Sequence, residues 1–347
     1  MKETTVPSGP AAAPRTGAQP GRPRRDDRLR HRIVTTADQA GVAGALVALV
    51  IVFSATAPHF LTVDNLLDVA RQISVTAILG AGLTFVIMTA GIDLSVGSAV
   101  GVTALFAVKP ALEGFPPAIA VLIALLAGLL IGTVNGVLVA RLGLASFIVT
   151  LAALTYLRGV TYVGTDGRTL FSTNLGYAWI GNGTILGVPV PVVIMVVVFA
   201  VGWYVLNRTV FGRWVHAVGG NAEAARLAGI PVRRVLTCVY IISGFCAGIG
   251  GVIASARLQS AVPDLGTGYE LSAIAAVVLG GTSLMGGKGS LIGTLIGAAI
   301  IGVLVNGMTL LDVSTFYQQI IQGVVIVLAV ALDRLRGRDA PAPAAAA

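Results

Sequence analysis

Few residues in this sequence are of the kinds that carry out chemistry. Only 11% are charged, and there are three histidines and two cysteines. His31, His59 and His216 are widely separated and lack the spacing of metal ligands. Cys238 and Cys246 fall more than two turns apart on one predicted helix, too far to form a disulfide. With no carboxylate pair and no Ser–His–Asp or Cys–His set, the sequence predicts no enzyme activity and no metal or other cofactor bound by this chain.

One glycine-rich segment comes close to a phosphate-binding loop. Such a loop has the pattern G-x-x-x-x-G-K-[ST] and follows a strand in a soluble domain. Lys288 follows a glycine, but Thr282 stands where the first glycine is required, and Gly289 replaces the final Ser or Thr. The segment also lies between two apolar runs. We therefore exclude nucleotide binding by this chain.

The composition is that of a membrane protein. The chain is 56% hydrophobic and 11% charged, whereas soluble domains have about 25% charged residues. The 44 glycines favour close packing of membrane helices. These totals predict an all-α polytopic membrane protein.

Ten apolar runs, most of them about 20 residues long, indicate about ten transmembrane helices. They are residues 41–57, 73–91, 95–112, 116–140, 145–164, 190–207, 235–256, 271–286, 290–310 and 316–333. The amphipathic segment 60–72 is predicted to lie at the membrane surface, and residues 165–189 form a Gly-rich polar loop. The transmembrane domain is thus 41–333, between a basic disordered tail, 1–40, and a second tail, 334–347.

The basic residues predict the orientation, because they concentrate on the cytoplasmic side of a membrane protein. With a cytoplasmic N-terminus, six runs place the segment 208–234 inside the cell, and four more return the C-terminus there. The residues then inside are Arg141, Arg208, Arg213, Arg226, Arg233, Arg234, Lys288, Arg334, Arg336 and Arg338, with the arginines of the N-terminal tail. Those outside or within spans are Arg71, Lys109, Arg158, Arg168 and Arg257. This distribution accounts for the net charge of +8 without nucleic acid.

The segment 208–234 is a polar island that contains the signals of one short helix. Asn221 suits an N-cap, and Glu223 suits the positive end of the helix dipole. Gly229 can adopt the left-handed conformation that ends a helix, and Pro231 prevents its continuation. The helix is rich in alanine, so another backbone can approach it closely. We interpret it as a docking element rather than a simple turn with a basic flank.

Two glycine-rich segments interrupt the apolar runs, at 91–98 (GIDLSVGS) and 285–290 (MGGKGS). They indicate either broken helices near a path or gate, or tight turns. For Asp93 itself we favour a turn with a solvated carboxylate. The glycines of 97–108 recur in 293–304, which leaves an internal duplication open.

Several polar residues lie within the apolar runs. Asn135 and Asn306 would join neighbouring helices or contact a solute, and joining helices is the commoner role. Tyr269 and Glu270 open the eighth run at its outer side, where Glu270 either contacts a partner or caps the helix.

Together these segments resemble the membrane permease subunit of bacterial ABC importers for monosaccharides of the ribose, xylose and galactose type. The resemblance covers about 45–333. The strings that carry it are GIDLSVGS (91–98), NGVLVARLGLASFIVTLAALTYLRG (135–159), GRWVHAVGGNAEAARLAGI (212–230) and GYELSAIAAVVLGGTSLMGGKGSLIGTLIGA (268–298). Glu223, Ala224, Ala225 and Gly229 match the short signature of the family's cytoplasmic coupling helix.

The resemblance implies a set of partners and roles. The partners are an ATP-binding subunit that holds ATP and Mg²⁺, a sugar-binding protein outside the membrane, and a second permease copy in a homodimer in the cytoplasmic membrane. The residues expected to couple to the ATPase are Asn221, Glu223, Ala224, Ala225, Arg226 and Gly229. Those expected at the path or gate are Asp93, Ser95, Asn135, Thr150, Tyr156 and Asn306, and those expected to contact the binding protein are Tyr269 and Glu270.

Two alternatives remain at this point. The nearer one is a branched-chain amino-acid permease of the same family, although the strings at 91–98 and 270–287 are more similar to the sugar branch. The other is a self-sufficient secondary transporter, which usually needs paired intramembrane carboxylates that the sequence lacks. The sequence does not name the sugar.

Overall fold

The computed structural model describes residues 25–338, with side chains for residues 41–328, 330 and 331. The chain divides into two units, residues 1–38 and 39–347, and everything below concerns the second. Most of the predicted tails, 1–40 and 334–347, lies outside the described residues. The first helix begins at Arg25, so it includes part of the segment predicted as a disordered tail.

The described chain is helical apart from two short strand pairs. Its helices are α1 (Arg25–Thr56), α2 (Val63–Met88), α3 (Val96–Leu112), α4 (Pro117–Ala140), α5 (Ser146–Thr165), α6 (Trp179–Asn182), α7 (Val190–Arg208), α8 (Val210–Gly220), α9 (Ala222–Leu227), α10 (Val232–Leu258), α11 (Tyr269–Leu279), α12 (Leu291–Leu310) and α13 (Thr315–Arg338). The strands are β1 (Leu170–Phe171), β2 (Thr184–Ile185), β3 (Val188–Pro189) and β4 (Ser260–Ala261). β1 pairs with β4, and β2 with β3, both antiparallel.

Within the described residues, six helices are long and apolar enough to cross a membrane, namely α2, α4, α5, α7, α10 and α12. Shorter apolar helical segments are Gly41–Thr56, Val96–Leu112, Tyr269–Leu279 and Thr315–Leu328. The prediction of an all-α polytopic membrane protein is therefore confirmed.

Two predicted segments differ in the structure. Most of the segment 60–72, predicted to lie at the membrane surface, is the first part of a longer helix, because α2 runs without interruption from Val63 to Met88 and is capped by the Thr62 hydroxyl. The eighth run does not cross the membrane as a helix. α11 has 11 residues and ends at Leu279, a rise of about 16 Å against a hydrocarbon core of about 30 Å.

Glycine packing joins α10 to its neighbours at the centre of the bundle. A Cβ at Gly132 of α4 would lie 2.3 Å from the Tyr240 carbonyl oxygen, and one at Gly244 would lie 2.3 Å from that of Gly128. Only glycine permits these backbones to approach so closely. α10 also packs against α2 and α3, so the break between these two helices rests on α10.

We call the end of the bundle that carries α9 the α9 end, and the other the opposite end. The α9 end holds the C-termini of α2, α4 and α7, the start of α10 and the loop 280–290. The opposite end holds the starts of α2, α4 and α7 and both strand pairs. The basic residues at or near the α9 end are Arg141, Arg208, Arg213, Arg226, Arg233, Arg234 and Lys288.

Candidate functional site

The predicted short helix is present as α9, with the predicted residues at its ends. The Asn221 side-chain oxygen accepts a hydrogen bond from the Ala224 N–H at 2.9 Å. Gly229 has φ +81°, and Pro231 immediately precedes α10. The helix is therefore bounded on both sides by local signals in the sequence.

α9 projects from the bundle with one residue anchored. The Ala225 side chain is buried, whereas Glu223, Ala224 and Arg226 are exposed. Ala225 was expected to contact a partner, but it packs against the bundle instead. Leu227, which the sequence reasoning overlooked, is 77% exposed. A single exposed leucine is common on protein surfaces, so Leu227 is a candidate contact because of its place on α9 and not because of its exposure alone.

An ion pair stiffens the exposed face of α9. The Arg226 Nε donates to Glu223 Oε2 at 3.0 Å. This hydrogen bond, and then the charge of Arg226, hold the pKa of the Glu223 carboxyl below its ordinary value. The pair is fully exposed, so its contribution to stability is small.

α8 connects α9 to two breaks between helices, namely the segment between α2 and α3 and the loop between α11 and α12. The connection is a contact, mainly of main-chain atoms, that we call the glycine junction (Met88, His216, Gly219 and Gly287). The Gly287 N–H donates to the Met88 carbonyl at 2.9 Å, and His216 Nδ1 lies 3.2 Å from the Gly287 carbonyl. A Cβ at Gly219 would lie 1.7 Å from the Met88 oxygen and 2.5 Å from the Gly287 nitrogen. Asn221 ends α8 and caps α9, so no linker separates α9 from the junction.

Asp93 lies in the break between α2 and α3 and is buried, with 2% exposure. Its Oδ1 accepts from the Ser95 N–H at 3.0 Å and from the Ser95 hydroxyl at 2.6 Å. Its Oδ2 accepts from the Ser243 hydroxyl at 2.8 Å, near the midpoint of α10. The prediction of a solvated turn was therefore wrong, and the break is inside the bundle.

Three other residues that were predicted at the path, Ser95, Asn135 and Thr150, belong to the cluster around Asp93. Asn135 Nδ2 donates to the Ser95 hydroxyl oxygen at 2.9 Å, and the Thr150 hydroxyl donates to the Ile92 carbonyl at 3.1 Å. The Asn135 Oδ1 has no hydrogen-bond partner in the described part of the chain. The cluster ties the break to α4, α5 and α10. The sequence reasoning missed Ser243, because it lies 150 residues from Asp93.

Among the described residues, the other two predicted path residues form no hydrogen bond with this cluster. Asn306 exchanges two hydrogen bonds with Asn65, at 3.1 and 2.8 Å, and so joins α12 to α2. Tyr156 is 46% exposed on α5.

α11 begins inside the bundle. The carboxylate of Glu270 packs so closely on α3 that a Cβ at Gly97 would lie 1.9 Å from its Oε2, and its Oε1 accepts from the Gly268 N–H at 3.2 Å. On α2, a Cβ at Gly80 would be 3.9 Å from the Ala273 oxygen. The expectation that Tyr269 and Glu270 open a span at its outer side is therefore wrong, and Glu270 supports the start of α11.

A cavity of about 470 Å³ with a mixed polar and apolar lining lies between α2, α10, α11, α12 and α13. Tyr269 lines it, but none of the predicted path residues does. Its other polar side chains are Gln72, Thr76, Arg257, Thr267, Ser272, Thr315, Gln318, Gln319 and Gln322. Among the described residues, no group of three or more His, Cys, Asp or Glu is placed to hold a metal ion.

Known proteins resemble this chain along most of its length. Residues 65–330 match the family model described as branched-chain amino acid transport system / permease component. The ribose import permease protein of Haemophilus influenzae is 48% identical, over 84% of this chain and 92% of its own length. That of Escherichia coli K12 is 50% identical over 83% and 91%. No solved structure matches the chain.

A relative whose name specifies a different sugar also matches this chain. The D-allose transport system permease protein of Escherichia coli K12 is 39% identical, over 86% of this chain and 92% of its own length. A family model that covers most of the chain and relatives at these identities establish kinship. The chain belongs to the family of ABC-importer membrane permeases.

Proposed function

We propose that this chain is the permease subunit of an ATP-driven importer that passes a monosaccharide across the cytoplasmic membrane. The observation that carries the proposal is α9, a capped helix that projects from the end of the bundle where the basic residues collect. Such a helix offers a separate ATPase a rigid contact. ATP and Mg²⁺ belong to that ATPase.

The topology proposed is ten crossings with both termini in the cytoplasm. The six long helices account for six, and α1, α3, α11 and α13 for the others, with α3 and α11 completed by non-helical segments inside the bundle. Basic residues collect at the α9 end, which favours its placement in the cytoplasm. Gly97 and Gly293 both lie near the start of a helix that follows a break, which supports an internal duplication. Residues 1–40 and 334–347 are proposed to be cytoplasmic tails.

The assembly contains two copies of this chain, the ATP-binding subunit and an extracytoplasmic sugar-binding protein. Tyr269 is half-buried and lines the cavity, and Glu270 packs on α3. These positions favour a place for Tyr269 on the solute path over contact with a separate protein.

The relatives favour a sugar over a branched-chain amino acid. Their names specify ribose and D-allose, whereas the family description names branched-chain amino acids. A branched-chain amino acid is a zwitterion with an apolar side chain, which calls for an apolar pocket. The amide-rich cavity of this chain fits a polyol better.

The coupling mechanism follows from the glycine junction. Closure of the ATPase displaces α9, and α8 transmits the displacement to the end of α2 and to the loop that precedes α12. Both breaks then shift, and the two permease copies change between inward-open and outward-open states. The structure holds the break at Asp93 to α4, α5 and α10, so these helices shift together with it.

The direct test is transport by reconstituted components. Liposomes with this chain alone are expected to show no concentrative D-ribose uptake. Addition of the partner ATP-binding subunit and the ribose-loaded binding protein should produce uptake that stops without ATP. Rapid uptake by the chain alone would contradict the proposal.

The exposed face of α9 supplies a second test. Leu227→Ala should remove the apolar centre of the contact, so less ATPase copurifies with the permease and uptake falls about tenfold, the equivalent of about 1.4 kcal/mol. Glu223→Ala should act in the same direction by a smaller factor.

Leu186→Ala is the matched control, because Leu186 is fully exposed but lies in the β2–β3 turn at the opposite end. It should leave both measurements at wild-type levels. Equal ATPase recovery from Leu227→Ala and wild type would show that α9 is not the docking helix.

A further inference from the structure

We propose that a groove between α7 and α10 binds one acyl chain of an anionic phospholipid, whose headgroup lies at the α9 end. The groove has a volume of about 450 Å³ and lies over α2, on which both helices pack. Apart from Gly202 and Cys246, its lining consists of Ala, Val, Ile and Phe residues. The inference concerns the membrane around the chain, so it does not depend on which solute is transported.

The floor of the groove is buried, and its walls are exposed on the outside of the bundle. Ala81 of α2 and Cys246 of α10 are buried at the floor. Val197 and Val201 of α7 and Phe245 of α10 are exposed along the walls. A polar solute would find no hydrogen-bond partner among these side chains, and its desolvation would be costly. A hydrocarbon chain has no such cost, and hydrocarbon is the solvent at this depth of a bilayer.

The dimensions of the groove fit a single acyl chain. On α7 the lining extends from Val193 to Val205, about 18 Å along the helix, and the hydrocarbon of one leaflet is about 15 Å thick. Spread over that length, a volume of about 450 Å³ gives a cross-section of about 25 Å². A helix with its side chains is about 10 Å across and has a cross-section of about 80 Å². The groove is therefore too narrow for a helix of a second copy.

Each wall of the groove leads to an arginine at the α9 end. Arg208 is the last residue of α7, and its Cζ lies 5.5 Å from the centroid of the Trp203 ring. Tryptophan is enriched at the level of lipid headgroups, so this pair marks the membrane boundary. On α10, Arg234 shares a helix face with Ile242 and Phe245, at i, i+8 and i+11. A lipid whose chain follows the groove has its headgroup at the end where both arginines lie.

These two arginines form no ion pair within the described part of the chain. Of the described carboxylates at that end, Glu223 is paired with Arg226, and Asp93 is buried among serines. Guanidinium groups bind phosphates through paired hydrogen bonds, and basic pockets between membrane helices bind anionic headgroups. A free phosphate would leave the groove empty, whereas a phospholipid both fills the groove and supplies the counterion.

The first experiment measures which lipid stays bound to the full-length permease when it is extracted from vesicles of phosphatidylglycerol and phosphatidylcholine in equal amounts. Native mass spectrometry should show a preference for phosphatidylglycerol of at least about tenfold. Arg208→Gln and Arg234→Gln should each lower this preference about fivefold, as expected for one lost arginine contact. Arg141→Gln, at the same end but at the end of α4, is the matched control and should retain it. The absence of a preference in the wild type, or an equal loss in Arg141→Gln, would overturn the inference.

The second experiment fills the groove with a large side chain. Val201→Trp should lower the retention of phosphatidylglycerol at least about fivefold, because the indole occupies the space of the acyl chain. Val196→Trp is the matched control, since Val196 is as exposed on α7 as Val201 but lies outside the lining. Val197→Trp provides a second test if the Val201→Trp protein does not reach the membrane. Equal lipid retention by the Val196 and groove variants would show that the acyl chain lies elsewhere and would sink the proposal.

A disulfide test distinguishes a lipid from a second copy of the chain as the occupant. Val197→Cys is introduced together with Cys238→Ser, which removes the exposed native thiol. Under oxidation in the membrane this variant should remain a single chain on a denaturing gel. A disulfide-linked dimer would assign the groove to the second copy and overturn the inference.

Discussion

Gly219→Ala is expected to abolish ATP-driven uptake, whereas Gly220→Ala is expected to leave it intact. A methyl group at 219 would lie 1.7 Å from the Met88 carbonyl oxygen and 2.5 Å from the Gly287 nitrogen, so α8 must move away from both breaks. A methyl group at 220 meets nothing within 4 Å. Both glycines lie in α8 and neither has positive φ. Replacement of either one by alanine therefore raises the helix propensity of α8 by the same amount. We expect at least about a tenfold difference in uptake between the two variants.

The measurement combines uptake, ATP hydrolysis and copurification of the ATPase. Gly219→Ala should retain the ATPase, because α9 itself is unchanged, and hydrolysis should continue without transport. His216→Ala removes the side-chain contact with the Gly287 carbonyl and should reduce uptake by a smaller factor. The His216→Ala variant also provides a second test of the glycine junction if the Gly219→Ala protein does not reach the membrane. Wild-type uptake by both variants would show that the glycine junction does not transmit the motion of α9.

The parts of the site that the sequence predicted are local. α9 has its cap, its left-handed glycine and its terminating proline within eleven residues of one another, so each signal acts on its own neighbours. The same applies to the long apolar runs, because length and hydropathy identify a candidate membrane helix from its own residues. For that reason α9 and the polytopic membrane fold could be predicted from the amino-acid sequence.

The parts that the sequence did not predict depend on contacts between distant segments. Ser243 converts the expected solvated Asp93 into a buried acceptor, and nothing near residue 93 indicates α10 as its neighbour. The glycine junction consists mainly of backbone atoms, which have no signature in the sequence. α11 was predicted as a full span because the apolar run continues past Leu279, whereas Gly280 and Gly281 end the helix.

The cavity was missed for a related reason. Its lining comes from five helices and the loop before α11, and its polar residues are spread over four of those helices and the loop. The spacing of Gln318, Gln319 and Gln322 was visible in the sequence and indicates a polar face on an otherwise apolar helix. Its significance depends on Gln72 and Ser272, which only the tertiary structure brings to the same space.

Asp93→Ala is expected to destabilise the permease and to stop transport. The substitution leaves the Ser95 N–H, the Ser95 hydroxyl and the Ser243 hydroxyl without their acceptor in a buried site. Each buried donor without a partner costs about 1–3 kcal/mol, so the midpoint of thermal unfolding in detergent should fall by at least about 5 °C. Loss of the anchor between the break and α10 should also eliminate uptake.

A second substitution, Asp93→Asn, separates the loss of stability from the loss of uptake. Asparagine keeps the shape of aspartate and one acceptor oxygen, and the serine hydroxyls can turn to accept from its amide. Asp93→Asn should therefore recover most of the thermal stability. If it recovers uptake as well, the cluster acts by holding the break in place, and Ser243→Ala should produce an intermediate loss of both. Asp64→Ala, at an exposed carboxylate in the first turn of α2, should change neither measurement. Wild-type stability and uptake in Asp93→Ala would mean that the break is held in place without the Asp93 carboxylate.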